Sequence, residues 1–330
     1  MTNATNTRAM LETGKFKLSQ NREQADCVAM TDTDAEIFVY CAEEDEERLH
    51  KVLQANGISY QLNNYDIRAQ RRRIICHYKN WTMEPQAKKF LIKMTEKGAW
   101  VEPLISYLDR RLGLTEVDLL HSGYFLHQKA FSILTHRKNR ILKRMLDLLF
   151  VFMLSLVAIP VGLITALLIK LESPGPVFFR QQRTGLYNRE FDVIKFRSMR
   201  SDAEKHGAQW ASKNDSRVTK VGKFIRKTRI DELPQLINVL KGEMSMVGPR
   251  PEREVFIDEL EKTIPYYRFR HAVKPGITGL AQVKYAYGAS IEDAVWKHKY
   301  DIYYIKHQSF RMDVKILGLT VKTVLFGMGR

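Results

Sequence analysis

Met145-Leu-Asp-Leu-Leu-Phe-Val-Phe-Met-Leu-Ser-Leu-Val-Ala-Ile-Pro-Val-Gly-Leu-Ile-Thr-Ala-Leu-Leu-Ile-Lys-Leu171 is the longest apolar stretch of the chain, and its reading decides how the rest is organised. Its 27 residues include one acidic group, Asp147, and one basic group, Lys170, both near the ends. As a helix it would reach roughly 40 Å at ~1.5 Å per residue, against a bilayer core of about 30 Å. It is long enough to cross, and hydropathy alone favours an ordinary spanning helix. Two features point to re-entry instead. Pro160 stands at its centre, where it removes a helix hydrogen bond and favours a kink. Basic residues lie on both sides: Arg137, Lys138, Arg140, Lys143 and Arg144 before it, then Arg180, Arg183 and Arg189 after it. Lys and Arg collect on cytoplasmic loops, so both flanks are expected in the cytoplasm. A helix–break–helix hairpin dipping into one leaflet satisfies both.

Charge divides the chain around this segment. Residues 1–135 carry 18 Lys+Arg against 18 Asp+Glu, whereas residues 136–330 carry 35 against 19, so the net charge of +16 lies entirely in the second part. Such a basic surface favours anionic lipid, nucleotide or nucleic acid. There is no zinc-ligand spacing and no stacking motif for nucleic acid, and the apolar segment argues against that partner. Residues 1–26 are polar, without the apolar run of a signal peptide, and the cysteines are three (Cys27, Cys41, Cys76). Both fit a reducing cytoplasm.

The N-terminal part reads as a polar arm over 1–33, then a soluble α/β accessory domain and connector over 34–135. Ile37 to Tyr40, Ile58 to Leu62, Ile74 to Tyr78 and Trp100 to Leu104 are strand-like. Helical patterns from Glu43 to Asn56 and from Glu84 to Lys97 separate them, each followed by glycine. Strand–helix alternation predicts a small parallel sheet. No Gly-x-Gly-x-x-Gly turn supports a dinucleotide site. A regulatory or docking module and an inert structural module are both open. Towards the C-terminus, Val314 to Phe326 is apolar with lysines, and Trp296, Tyr300, Tyr303 and Tyr304 recur near helical spacing. Interfacial helices have this pattern, and so do core helices.

The chemistry-bearing stretch is Arg226-Lys-Thr-Arg-Ile-Asp-Glu-Leu-Pro-Gln-Leu236. Pro234 is tolerated only early in a helix, so a helix is expected to begin near Asp231 and run towards Leu240. Adjacent helical residues point about 100° apart, which gives Asp231 and Glu232 different tasks. The free N–H groups of a helix start favour a phosphate there; a plain acidic helix cap is the alternative. Cations surround the pair in sequence: Arg226, Arg250 in Gly-Pro-Arg-Pro251, Lys195 and Arg197 in Lys-Phe-Arg-Ser-Met199, and Lys274 in Lys-Pro-Gly-Ile-Thr-Gly279. Arginine matches phosphate oxygens through its planar fork of donors.

In this order, together with Ser173-Pro-Gly-Pro-Val-Phe-Phe-Arg-Gln-Gln-Arg-Thr-Gly185, Asn238-Val-Leu-Lys-Gly242 and Tyr300-Asp-Ile-Tyr-Tyr-Ile-Lys306, the motifs resemble the bacterial monotopic polyprenol-phosphate phosphoglycosyl transferases over residues ~138–330. Tyr287-Gly-Ala-Ser290 and Val324-Leu-Phe-Gly327 look most like members serving exopolysaccharide assembly. The resemblance implies a mostly α, membrane-associated catalytic domain over 136–330, on the cytoplasmic face of the inner membrane. It implies Mg2+, and transfer of a phosphosugar from a UDP-sugar to polyprenol (undecaprenyl) phosphate with release of UMP. Carried over residue by residue, Asp231 would be the nucleophile forming a phosphosugar-aspartyl intermediate, and Glu232 a metal ligand or base. Asp231 and Glu232 would share the metal, Arg226 and Arg250 would line the phosphate site, and Lys195, Arg197 and Lys274 would be further substrate contacts. The sequence departs from the pattern at Ile159, where members often have Ser or Thr, and at Lys274, where they often have Arg. The resemblance does not name the sugar (glucose and galactose are the expectations), and a homodimer is compatible with it. The rival from another class is a non-catalytic membrane-anchored regulator that binds nucleotide or lipid.

Overall fold

The computed structural model describes residues 35–66, 74–127, 137–200, 203, 215–285, 288 and 290–325. The expected arm over 1–33, with Cys27, and half of each of the Tyr287–Ser290 and Val324–Gly327 motifs lie outside them. The chain divides into two compact units, residues 1–104 and 105–330.

In the first unit, strands β1 (Ile37–Tyr40), β2 (Tyr60–Leu62), β3 (Ile74–His77) and β4 (Trp100–Pro103) form one sheet in the order β2-β1-β3-β4. Every neighbouring pair is parallel, as the alternation predicted. Helices α1 (Glu46–Ala55) and α2 (Pro85–Glu96) connect them. All four residues of β1 are buried, as a central strand of a covered parallel sheet requires. Phe38, Tyr40 and Ile75 pack against Met83, Ala87, Leu91 and Met94 on one side.

The second unit is mostly helical. Its longest element is α5 (Arg137–Glu172), preceded by α3 (Leu104–Leu112) and α4 (Ser122–His127). An antiparallel hairpin of β5 (Phe178–Thr184) and β6 (Glu190–Phe196) follows. Then come α6 (Lys220–Lys227), α7 (Gln235–Lys241), β7 (Ser245–Val247), α8 (Glu254–Glu261), β8 (Gly276–Thr278), α9 (Leu280–Lys284), α10 (Ile291–His307) and α11 (Phe310–Leu325). β7 and β8 pair in parallel. The connector of the sequence reading is tied into this unit by buried ion pairs: Lys306 to Asp109 at 2.5 Å and Lys299 to Glu116 at 2.6 Å. Charges so far apart in sequence give no local signal.

Helical hydrogen bonding in α5 runs from Arg137 to Glu172 with Pro160 inside it, rather than as two separated helices. It is the one described helix long and apolar enough to cross a membrane, and little of it is covered. Both ends are held by the unit. At the first, Lys143 pairs with Asp313 at 2.7 Å, and Asp147 accepts from the Ser245 hydroxyl (2.9 Å) and the Met246 N–H (3.0 Å). At the second, Ala166 and Ile169 pack on Phe196 and Ile225, and Glu172 accepts from the Lys220 N–H at 2.7 Å. The stretch between is mostly bare: Phe152, Leu156 and Leu163 are each more than two-thirds exposed, though Val151 is buried. Its composition and exposure are those of a membrane-associated helix.

α10 decides between the two readings of its aromatic spacing. Ile302, Tyr304 and Ile305 are buried, and the Tyr304 hydroxyl donates to the Val247 carbonyl at 3.0 Å. Its aromatic spacing belongs to a core helix rather than an interfacial one. α11 exposes Phe310, Val314 and Val321 while burying Ile316, and so keeps an apolar outer face.

Candidate active site

The carboxylate pair is placed by a tight reversal. Thr219 caps α6, its side chain accepting from the Gly222 N–H. Arg229 then turns the chain in the left-handed region (φ 60), and a single 3-10 turn, Ile230–Glu232, carries both acids. The regular helix α7 starts only at Gln235, after Pro234. The helix start is therefore four residues later than the sequence predicted. Several N–H groups of this stretch are taken by the chain itself: Glu232 donates to Arg229, Leu233 to Ile230, Leu236 to Leu233 and Ile237 to Pro234. Proline cannot donate, and the chain makes successive tight turns before the helix sets in.

Glu232 is buried, and one of its oxygens takes two cations. Arg250 Nη2 lies 2.8 Å and Lys195 Nζ 3.3 Å from Oε1. Burial opposes its ionisation, but Arg250, Lys195 and Arg229 outweigh that and hold it well below the usual carboxylate range. Asp231 has the opposite balance. Burial and the neighbouring Glu232 charge push its carboxyl up to about 6, with Lys195, Arg229 and Arg250 pulling the other way. Among the described residues, no group bonds its buried Oδ1. Two adjacent carboxyls thus carry pKa values pushed apart, an arrangement that assigns them different tasks.

Three elements deliver the cations. Lys195 comes from β6, which is locked to α7 by the fully buried Asn238: its Oδ1 accepts from the Ile194 N–H (3.1 Å) and its Nδ2 donates to the Asp192 carbonyl (2.7 Å). Arg250 comes from the turn after β7. Gly248 and Gly276 lie back to back there, and a Cβ on Gly276 would meet the Gly248 nitrogen at 2.1 Å. The two Gly/Pro turns read separately in the sequence are therefore one packed structure. Arg270 steadies it, donating to the Arg250 carbonyl (3.1 Å) and pairing with buried Asp301 at 2.7 Å. Arg183, from β5, was not singled out by the sequence. It bonds the Pro251 carbonyl and Glu252, and its charge reaches Lys195. Asp301, Arg270 and Glu252 were missed as well; Asp301 stands inside the Tyr300–Lys306 motif.

Arg226 lies in the last turn of α6, and its charge acts on Asp215. The other two expected contacts lie elsewhere. Arg197 is buried and faces the end of α5. Its guanidinium donates to the carbonyls of Ile169 (3.4 Å), Ser173 (2.7 Å) and Pro174 (2.8 Å) and to the Ser173 hydroxyl (3.0 Å). It closes the helix end, where carbonyls lack intrahelical partners. Lys274 sits at the other end of α7, against Gly242 and Arg144.

Known proteins share this part of the chain. The family model for bacterial sugar transferases matches residues 138–327. A UDP-N-acetylgalactosamine-undecaprenyl-phosphate N-acetylgalactosaminephosphotransferase of Aeromonas hydrophila is 48% identical over 217 residues, 66% of this chain and 50% of its own. A UDP-glucose:undecaprenyl-phosphate glucose-1-phosphate transferase of Escherichia coli strain K12 is 45% identical over 185 residues, 56% of this chain and 40% of its own. An exopolysaccharide production protein of Rhizobium leguminosarum is 42% identical over 199 residues, 57% of this chain and 98% of its own. The chain thus spans half or less of the first two relatives. With the family model covering more than half of its residues, the chain belongs to the bacterial sugar transferase family.

Proposed function

We propose that the chain transfers a phosphosugar from a UDP-sugar to polyprenol phosphate, releasing UMP, with Asp231 as nucleophile. The observation that carries this is the bare, buried Asp231 oxygen beside a Glu232 already clamped by Arg250 and Lys195. A carboxylate oxygen of Asp231 attacks the sugar-bearing phosphorus, and the bond from that phosphorus to the UMP oxygen breaks. The acceptor phosphate then attacks the same phosphorus, the aspartyl–phosphorus bond breaks, and Asp231 is regenerated. Covalent catalysis of this kind splits one difficult displacement into two. It also lets a soluble nucleotide and a lipid use the site in turn. The names of the relatives, which join UDP-sugars to undecaprenyl phosphate, support the same reaction.

Arg250 and Lys195 are placed to meet phosphate charge once substrate competes for them with Glu232. Glu232, held far below the usual range, is a poor proton acceptor, which favours a metal-ligand or charge-holding role over that of a base. Among the described residues, no three His, Cys, Asp or Glu side chains gather to hold a metal unaided. Two carboxylates plus substrate phosphates are nevertheless a donor set that Mg2+ takes, and the unpartnered Asp231 oxygen fits it. Asp231 and Glu232 would hold that ion, which when bound offsets pyrophosphate charge.

The re-entrant reading of α5 belongs to the same proposal. Its support is that both helix ends are anchored on one unit while the middle is bare, with Pro160 within the bare stretch. Both flanks, and the site, would then face the cytoplasm.

The test is direct. Incubation with labelled UDP-sugar and no lipid is expected to leave label on the protein and release UMP, and Asp231→Asn to do neither. Label still trapped on Asp231→Asn would remove Asp231 from the nucleophile's role.

A further inference from the structure

Lys274 is half-buried, and its surroundings are cationic. It follows β7 and the Gly-Pro-Arg-Pro turn in sequence, yet it stands at the C-terminal end of α7, away from Asp231 and Glu232. A Cβ on Gly242, the residue that closes α7, would lie 3.5 Å from Lys274 Nζ and 3.9 Å from the Arg144 guanidinium. Arg144 is anchored, donating from Nη1 to the Val239 carbonyl (2.5 Å) and from Nη2 to the Leu240 carbonyl (2.8 Å), which leaves the other N–H groups of its five-donor guanidinium to a ligand. Lys241 and Arg140, both exposed, flank the same place, Arg140 one helical turn before Arg144 on α5. The nearby carboxylate, Asp147, is bonded to Ser245 and Met246, and Lys143 is paired with Asp313. Burial, Arg144 and Lys143 together hold the Lys274 ammonium below its ordinary pKa.

This is also where α5 passes from charge to apolar surface. Ile141, Met145 and Leu149 on α5 and Ile237 and Leu240 on α7 are all more than two-fifths exposed. If α5 is embedded, as the proposed function requires, this ring of cations lies at the depth of lipid phosphates. A gap between two cations, one of them anchored on carbonyls, favours an anion although the Asp147 charge also reaches Lys274, and the apolar surround selects one carried by a lipid.

We propose that Lys274 and Arg144 bind a membrane-borne phosphate at the Gly242 end of α7, separate from the carboxylate site. α7 has seven residues, about 10 Å of helix, so a phosphate held here is not in reach of Asp231. The site is a resident or waiting position.

The probe is the full chain in phosphatidylcholine nanodiscs doped with either phosphatidylglycerol or undecaprenyl phosphate, with retained lipid counted by native mass spectrometry. Wild type is expected to retain an anionic phosphate lipid over zwitterionic phosphatidylcholine. Lys274→Gln should weaken this about tenfold, the value of one charge-assisted contact, and Lys274→Arg should keep it. Gly242→Asn tolerates the left-handed backbone there (φ 83) and places a side chain in the gap, so it should weaken retention with both cations intact. Preference for undecaprenyl phosphate would identify a waiting acceptor, and equal retention a resident phospholipid; either supports the site. Unchanged retention in both Lys274→Gln and Gly242→Asn would overturn it. Loss of Asp231 labelling tests the catalytic reading independently, because lipid retention does not pass through Asp231.

Discussion

Arg250 and Arg197 occupy two regions of one unit, and the contrast between them separates site from scaffold. Both follow a strand, both stand in motifs with Pro or Lys close by, and both were expected at phosphate. Arg250 faces a single carboxylate oxygen and is about one-third exposed, so a ligand phosphate can compete for it. Arg197 is buried and has four acceptors at the end of α5. Residue type alone does not identify a phosphate contact. What matters is whether its donors are already satisfied by groups that cannot leave.

The sharpest way to break this contrast is to remove each arginine in turn. Arg250→Ala should lower kcat/KM by roughly 10^2–10^3, the usual loss for one preorganised donor to developing charge, and should also lower Tm, because buried Glu232 is left with Lys195 alone. Arg197→Ala should cost stability without the loss of rate. It strands buried carbonyls and should lower unfolding stability by about 2–4 kcal/mol, with activity per folded molecule within about threefold of wild type. Denaturant titration and initial rates on the same preparations decide it. If Arg197→Ala lost activity without losing stability, its place in the scaffold would be wrong.

A second test concerns what steadies Arg250 from behind. Arg270 and Asp301 form a buried pair at 2.7 Å, each almost fully covered. Arg270→Met leaves Asp301 charged and buried, and should cost about 3–5 kcal/mol, whereas adding Asp301→Leu should recover much of it. The double variant should nevertheless stay slow, because the Arg250 carbonyl has lost its donor. Recovery of both stability and rate in the double variant would reduce the pair to scaffold.

How far the sequence could be read follows the same line. The described part of the first unit was legible: its strands and helices are local, apolar periods, and the four strands and two helices lie within a few residues of where the pattern placed them. The apolar length of α5 and the adjacency of Asp231 and Glu232 are also local facts. The hairpin partner β5 was not legible, because Phe178-Phe-Arg-Gln-Gln-Arg-Thr184 has no apolar alternation: its two aromatics are adjacent and exposed, and four polar residues follow. Nor was the destination of Arg197 or Lys274. The partners of Arg197 lie 23 to 28 residues away, those of Lys274 lie on two helices far back in the chain, and a side chain's partner has no period. The late start of α7 was missed for a smaller reason. Pro234 marks the first turn of a helix, but it also permits a run of tight turns before one.

The smallest effect distinguishes Asp231 from an ordinary helix cap. A capping carboxylate has a lowered pKa and stabilises the fold when ionised. Asp231 has a raised one, about 6, caused first by burial and then by Glu232. The folded state therefore holds its proton more tightly than the unfolded chain, whose aspartates titrate near 3.9. Stability contributed by the protonated group is present below about pH 4 and is lost as pH rises to about 6, leaving a cost on the order of 1–3 kcal/mol at neutral pH. Asp231→Asn removes the charge, so at pH 7.5 it should melt higher than wild type, and the difference should close as pH falls from 6 to 4. On the kinetic side, kcat/KM for the UDP-sugar should fall about tenfold per pH unit below 6, as the nucleophile is protonated. Lys195→Met removes a cation that favours the ionised form, so this limb should move to higher pH. A cap would give the opposite sign in the melting experiment, with Asp231→Asn less stable at neutral pH and the gap widening with pH.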